Sequence, residues 1–202
     1  MGISGVVMIA FVIFHLGANL VVFGGPAALD RFAASLDGLG PLLWIARAVL
    51  LAAVGVHIGA AVRLWALDAL ARPRRYMKQV PQASTIGSRT IRWTGVLLFA
   101  FIVFHVLHFA TGTIHPVPVR PGHVYANVVG SFRIGWVAAI YIAAMIVLGL
   151  HLYHGGWSWP RSLGLAPRKP DPTRRPLAAL VAVVLWLGFT AIPLAALSGA
   201  LP

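Results

Sequence analysis

The sequence predicts an all-α integral membrane bundle of five transmembrane helices, with the N-terminus cytoplasmic. Three observations predict it: the solvent the composition demands, five apolar runs of spanning length, and an uneven distribution of cations. Of 202 residues, 59% are hydrophobic and 10% charged, with a mean hydropathy of +0.87. That leaves too little polar surface to coat a water-soluble globule. A helix crossing a hydrocarbon core of about 30 Å needs about 20 residues. Runs of that length lie at about 3–23, 42–67, 93–111, 134–157 and 177–197, so the chain reads as one transmembrane domain over 1–202. Twelve of the sixteen Lys and Arg residues flank or fill two connections: Arg63, Arg72, Arg74, Arg75, Lys78, Arg89 and Arg92 around the second, and Arg161, Arg168, Lys169, Arg174 and Arg175 around the fourth. The positive-inside rule places those connections and the N-terminus in the cytoplasm, and the C-terminus outside.

The net charge of +12 is therefore a topology signal and a candidate docking face, and nucleic-acid binding is not expected. The absence of cysteine excludes disulfides, Cys-ligated iron–sulfur clusters and c-type haem attachment on this chain.

The first run lacks a basic n-region and carries His15 and Asn19, so it reads as a mature helix and not a signal peptide. Between Gly24 and Pro41, glycine and proline breaks bracket a short surface helix. The second run descends through Arg47 to His57. The third rises from Trp93 to His105-Val-Leu-His108. Residues 112–132, with His115, His123 and a cluster of proline and glycine, read as an irregular, solvent-facing outer loop. The fourth run descends to His151-Leu-Tyr-His154. The fifth has no ionisable residue after position 177, and Pro193 is a candidate kink.

Histidine in hydrocarbon needs a partner. The chain has four acidic residues, Asp30, Asp37, Asp68 and Asp171, and no glutamate; all four lie at the edges of the runs or outside them. The partner must therefore come from outside the chain. Counting along the helices at about 1.5 Å per residue, His15 and His105 share one depth, and His57 and His151 share another nearer the cytoplasm. Two histidines at one depth can clamp a flat ligand edge-on, and two such pairs can hold two. Haem fits: its iron takes two axial imidazoles, and its macrocycle tolerates lipid depth. Gly17, Gly55, Gly59, Gly149 and Gly155 are candidates for making room for the rings.

Several segments then carry a resemblance. They are His15-Leu-Gly-Ala-Asn-Leu, Trp44-Ile-Ala-Arg47 with His57-Ile, Ala71-Arg-Pro-Arg-Arg-Tyr76, Gly95 with His105-Val-Leu-His108, and His151-Leu-Tyr-His154-Gly-Gly-Trp-Ser. Across roughly the first 165 residues the chain resembles the five-helix, di-haem cytochrome b558 membrane-anchor subunit of succinate dehydrogenase/fumarate reductase. The resemblance implies two b haems and docking to a flavoprotein and an iron–sulfur protein on the cytoplasmic side, which alone carry FAD and iron–sulfur clusters. It implies a non-catalytic electron-transfer subunit in the cell inner (plasma) membrane that passes electrons to a quinone, menaquinone being expected, with a higher oligomer of the complex a candidate state.

The family's axial ligands fall on His15 and His105 for the distal haem, and on His57 and His151 for the proximal one. His108 and His154, each one turn beyond a ligand, are rival ligands or contacts for a propionate or quinone. Ser158, Trp157 and Arg161 are candidate propionate partners on the proximal side, Arg47 and Arg133 on the distal side; for each the plain alternative is an interfacial anchor. His115 and His123 read as solvated loop residues. Glutamates that support quinol chemistry and proton transfer in some family members have no counterpart here, so that mechanism is not carried over. Three other readings stand beside this one: a different bis-histidine b-type cytochrome anchor, a haem-free, His-relay proton-coupled transporter, and a haem-free structural anchor.

Overall fold

The computed structural model describes residues 1–71, 86–165 and 173–201. Its elements are α1 (Gly2–Leu20), continued by a 3₁₀ turn (Val21–Gly24), α2 (Pro26–Asp37), α3 (Pro41–Ala71), α4 (Ile86–His105), continued by a π turn (Val106–Ala110), α5 (Val124–Phe132), α6 (Gly135–Ser162) and α7 (Arg174–Leu197). Among the described residues there is no strand. Five segments are long and apolar enough to cross a membrane: Gly2–Gly24, Pro41–Ala71, Ile86–Ala110, Gly135–Ser162 and Arg174–Leu197.

The expected surface helix between the first two spans is α2. Both α2 and α3 start on the same local device. Gly25 (φ 84°) and Gly40 (φ 52°) take the left-handed backbone, and Pro26 and Pro41 follow with φ already set for a first helical turn. The second half of the loop expected over 112–132 is instead the helix α5. Its Tyr125, Val129 and Phe132 are buried in one cluster with Val22, Leu29, Val137, Tyr141 and Ile192. This cluster caps one end of the bundle. A second, of Leu16, Leu152, Ala182 and Leu185, joins α1, α6 and α7 further along. α7 continues without interruption through the buried Pro193.

The spans outrun the apolar runs. α3 reaches Ala71 and α4 starts at Ile86, where Asp68 and Arg92 form a 2.6 Å ion pair. The basic residues Arg72, Arg74, Arg75, Lys78, Arg168 and Lys169, on which the topology argument leans, lie outside the described residues.

Packing among the spans is uneven. α6 lies along α7 and α4, while α3 packs mainly on α1, buries no residue, and scarcely meets α4 or α6. The elements also repeat: a span, a short helix and a span (α1, α2, α3) are followed by the same order (α4, α5, α6).

Candidate functional site

The spans bring the histidines together in the expected pairs. His15 on α1 and His105 on α4 have ring centroids 5.8 Å apart. His57 on α3 and His151 on α6 are 6.4 Å apart. Two imidazoles sharing one metal, each bonded at about 2.0 Å, would have centroids roughly 6.2 Å apart. Both separations fit that value.

The two levels follow from helix geometry. Ser4 reaches His57, and Thr94 reaches His151. His15 lies eleven residues beyond Ser4 on α1, and His105 eleven beyond Thr94 on α4. Eleven residues make three turns, so on each helix hydroxyl and imidazole share a face, about 16 Å apart along the axis. α1 and α4 thus each serve both levels. On α3 and α6, His57 and His151 each lie sixteen residues after the first helical residue.

The donor chemistry supports a ligand role for the lower pair. Ser4 Oγ donates to Met1 O at 3.0 Å and sits 3.3 Å from His57 Nδ1. Thr94 Oγ1 donates to Ile91 O at 3.0 Å and sits 3.1 Å from His151 Nδ1. A hydroxyl whose own proton is committed to a carbonyl accepts, so each Nδ1 carries the proton and each Nε2 keeps its lone pair. This is the outer contact that orients a metal-bound imidazole.

In the upper pair, His105 Nδ1 lies 3.2 Å from the Tyr141 hydroxyl. The partner of His15 is Asn19, whose Nδ2 donates to His15 O at 2.7 Å and lies 3.3 Å from both ring nitrogens. Phe11 stacks on the His15 ring and Phe101 on the His105 ring, giving the pair aromatic walls.

His108 has both nitrogens engaged, Nδ1 at 2.8 Å from Tyr141 Oη and Nε2 at 2.6 Å from Ser131 Oγ, and is 1% exposed. Neither nitrogen is left for iron, a propionate or a quinone. His154 packs on Trp157, with its Nδ1 buried and unpaired among the described residues. Arg161 and Arg175 both lie over the Trp157 ring, at 5.1 and 4.8 Å. Ser158 Oγ donates to Gly155 O at 3.5 Å. Arg47 lies over Trp44, and Arg133 donates to Leu201 O. His115 differs from its solvated reading: it is half-buried, donates from Nδ1 to Val117 O at 2.6 Å, and rests against His108. His123 is exposed and 4.0 Å from Asp30.

A Cβ added at Gly17, Gly55, Gly59 or Gly155 would meet nothing within 4 Å, and Gly17, Gly55 and Gly59 are exposed, two residues from His15 or His57 and so on the helix face away from it. Gly149 has a different role: its added Cβ would meet Trp186 Cβ at 3.7 Å, so it is a packing contact between α6 and α7.

Ser4, Thr94 and Tyr141 went unread in the sequence. For Ser4 and Thr94 a signal exists, the repeated hydroxyl eleven residues before a histidine; Tyr141 has none, because its partners are 33 and 36 positions away. No family model, no curated protein and no solved structure matches the chain.

Proposed function

We propose that the chain is the di-haem b membrane-anchor subunit of a succinate:quinone oxidoreductase. The observation that carries the reading is the presence of two histidine pairs at two levels, each at a separation suited to one metal between two imidazoles. His57 and His151 would hold one haem and His15 and His105 the other. When bound, each haem supplies a one-electron carrier buried within the bundle.

The protein's own part is binding, orientation and insulation. Ser4 and Thr94 hold the lower imidazoles with Nε2 inward, and Tyr141 does the same for His105. The phenylalanines flanking the upper pair exclude water, and α3, loosely packed against α4 and α6, leaves the lower level broad. In this reading the N-terminus and the basic connections face the cytoplasm, where an FAD-bearing flavoprotein and an iron–sulfur protein dock, in the cell inner membrane. Electrons from succinate leave to a quinone, menaquinone by resemblance. Arg161 and Arg175, held at Trp157, are two of the described cations at the docking end.

The experiment is to isolate the tagged chain from its native membrane in mild detergent and add succinate. The reading expects copurifying flavin and iron–sulfur subunits and a succinate-reducible b-type spectrum. A haem-bearing preparation without those partners, inert to succinate, would leave another bis-histidine anchor as the better reading. The His-relay transporter is favoured by one observation, the hydrogen-bonded run from His105 to Ser131; that reading expects a colourless protein.

A further inference from the structure

We propose that Tyr141, His108 and Ser131 form a hydrogen-bonded chain that sets the electron affinity of the His15/His105 centre through the Nδ1 proton of His105. The inference rests on the reading of that pair as axial ligands, and it extends the Tyr141 contact with His105 to His108 and Ser131.

The chain is continuous and deeply buried: His105 Nδ1 to Tyr141 Oη at 3.2 Å, Tyr141 Oη to His108 Nδ1 at 2.8 Å, and His108 Nε2 to Ser131 Oγ at 2.6 Å. Ser131 is 0% exposed and Tyr141 6%. Most buried polar groups are hydrogen-bonded, and a half-satisfied network costs more than an apolar core. Here three helical segments converge to satisfy one another, the π turn after His105, α5 and α6. The π turn carries His108; such one-turn insertions recur at functional sites.

With both rings neutral and the buried tyrosine proton used within the chain, the chain has two orders. In one, Ser131 donates to His108, His108 to Tyr141 and Tyr141 to His105, which places the His105 proton on Nε2 and blocks it as a ligand. In the other, His105 Nδ1–H donates to Tyr141, Tyr141 donates to His108 Nδ1, and His108 Nε2–H donates to Ser131. Only the second leaves Nε2 able to bind iron.

In that second order each bond polarises the next. Because Tyr141 gives its proton to His108, its oxygen is a stronger acceptor and pulls harder on the His105 proton. The imidazole becomes a stronger electron donor, which favours the oxidised metal. His57 and His151 each have a single hydroxyl partner anchored to a backbone carbonyl, and His15 has an amide. The longer chain therefore separates the two centres energetically and holds the upper one lower in potential than its ligands alone would set it. Tyr141 and His108 are positioning residues in this account.

The test is a potentiometric titration of the assembled, haem-loaded complex, following both haems by their visible bands. Tyr141→Phe is expected to raise the potential of one haem only, increasing its reduced-to-oxidised ratio at a fixed poise by up to about tenfold, equivalent to about 59 mV for a one-electron couple. His108→Leu, which leaves Tyr141 in place, is expected to shift the same haem in the same direction by less. His108→Gln, which can accept from Tyr141 and donate to Ser131, is expected to restore it. If Tyr141→Phe does not assemble, His108→Leu decides; if neither does, Ser131→Ala, expected to give a smaller rise at the same haem, decides. Two haems with unmoved potentials, or equal shifts at both, would overturn the inference and leave the di-haem reading standing. A wild-type complex without haem would overturn both.

Discussion

His57 and His151 face each other with ring centroids 6.4 Å apart, although the helices that carry them scarcely pack. Apolar contact does not hold α3 against α6, since α3 has no buried residue. Each imidazole is instead fixed from behind, by Ser4 on α1 and Thr94 on α4. A pair positioned from behind by hydroxyl acceptors and not by packing suits a ligand placed between its members.

The first prediction follows from that arrangement. His57→Ala and His151→Ala should each remove one haem and leave the other, and His15→Ala and His105→Ala should remove the complementary one. Haem content and low-spin EPR signals of the four variants check this. Two haems with unaltered spectra in any of them would break the assignment at that position.

Thr94 offers a subtler test. Thr94→Val keeps shape but leaves His151 Nδ1–H without an acceptor, at a cost of about 1–3 kcal/mol. Loss of such an outer partner lowers metal affinity about 10- to 100-fold. Haem loss from the His57/His151 level on dilution in detergent should accelerate accordingly, while Thr94→Ser behaves as wild type. An unchanged off-rate would remove Thr94 from the account.

At the capped end, Asp30 Oδ1 accepts the Tyr125 backbone N–H at 2.8 Å and ties α2 to the start of α5. Asp30→Ala removes that acceptor from the start of α5 and should destabilise the cap by about 1–3 kcal/mol. Faster amide exchange over α5 with haem content retained is the expected result. Loss of haem from the His57/His151 level instead would contradict the separation of the cap from that level.

The five spans and the histidine pairing were legible in the residues. Both depend on quantities a sequence carries directly, apolar length and position along a helix. The span ends were less so: α3 and α4 continue into polar sequence, where helical hydrogen bonding persists after hydropathy has fallen. α5 was hidden because the proline and glycine cluster before it masks a nine-residue helix whose burial comes from α2, α6 and α7. The engagement of His108 could not be read, since its spacing from His105 is that of a neighbouring ligand, while the groups that occupy it lie 23 and 33 positions on.

Packing between α6 and α7 rests on small residues. A Cβ at Gly156 would stand 3.2 Å from Ala178 Cβ, and one at Gly149 would meet Trp186. Close backbone approach through small residues is a common way for membrane helices to associate. Gly156→Leu should force the helices apart at a cost of about 1–3 kcal/mol, read as a lower unfolding midpoint in detergent. Gly155→Ala, which meets nothing within 4 Å, should be nearly silent.

The central claim is tested most directly by the reduced-minus-oxidised visible spectrum of the purified, assembled protein together with a haem-to-protein ratio. The account predicts a b-type α-band and about two haems per chain, one for each histidine pair. A colourless preparation that is nevertheless assembled and active would contradict it.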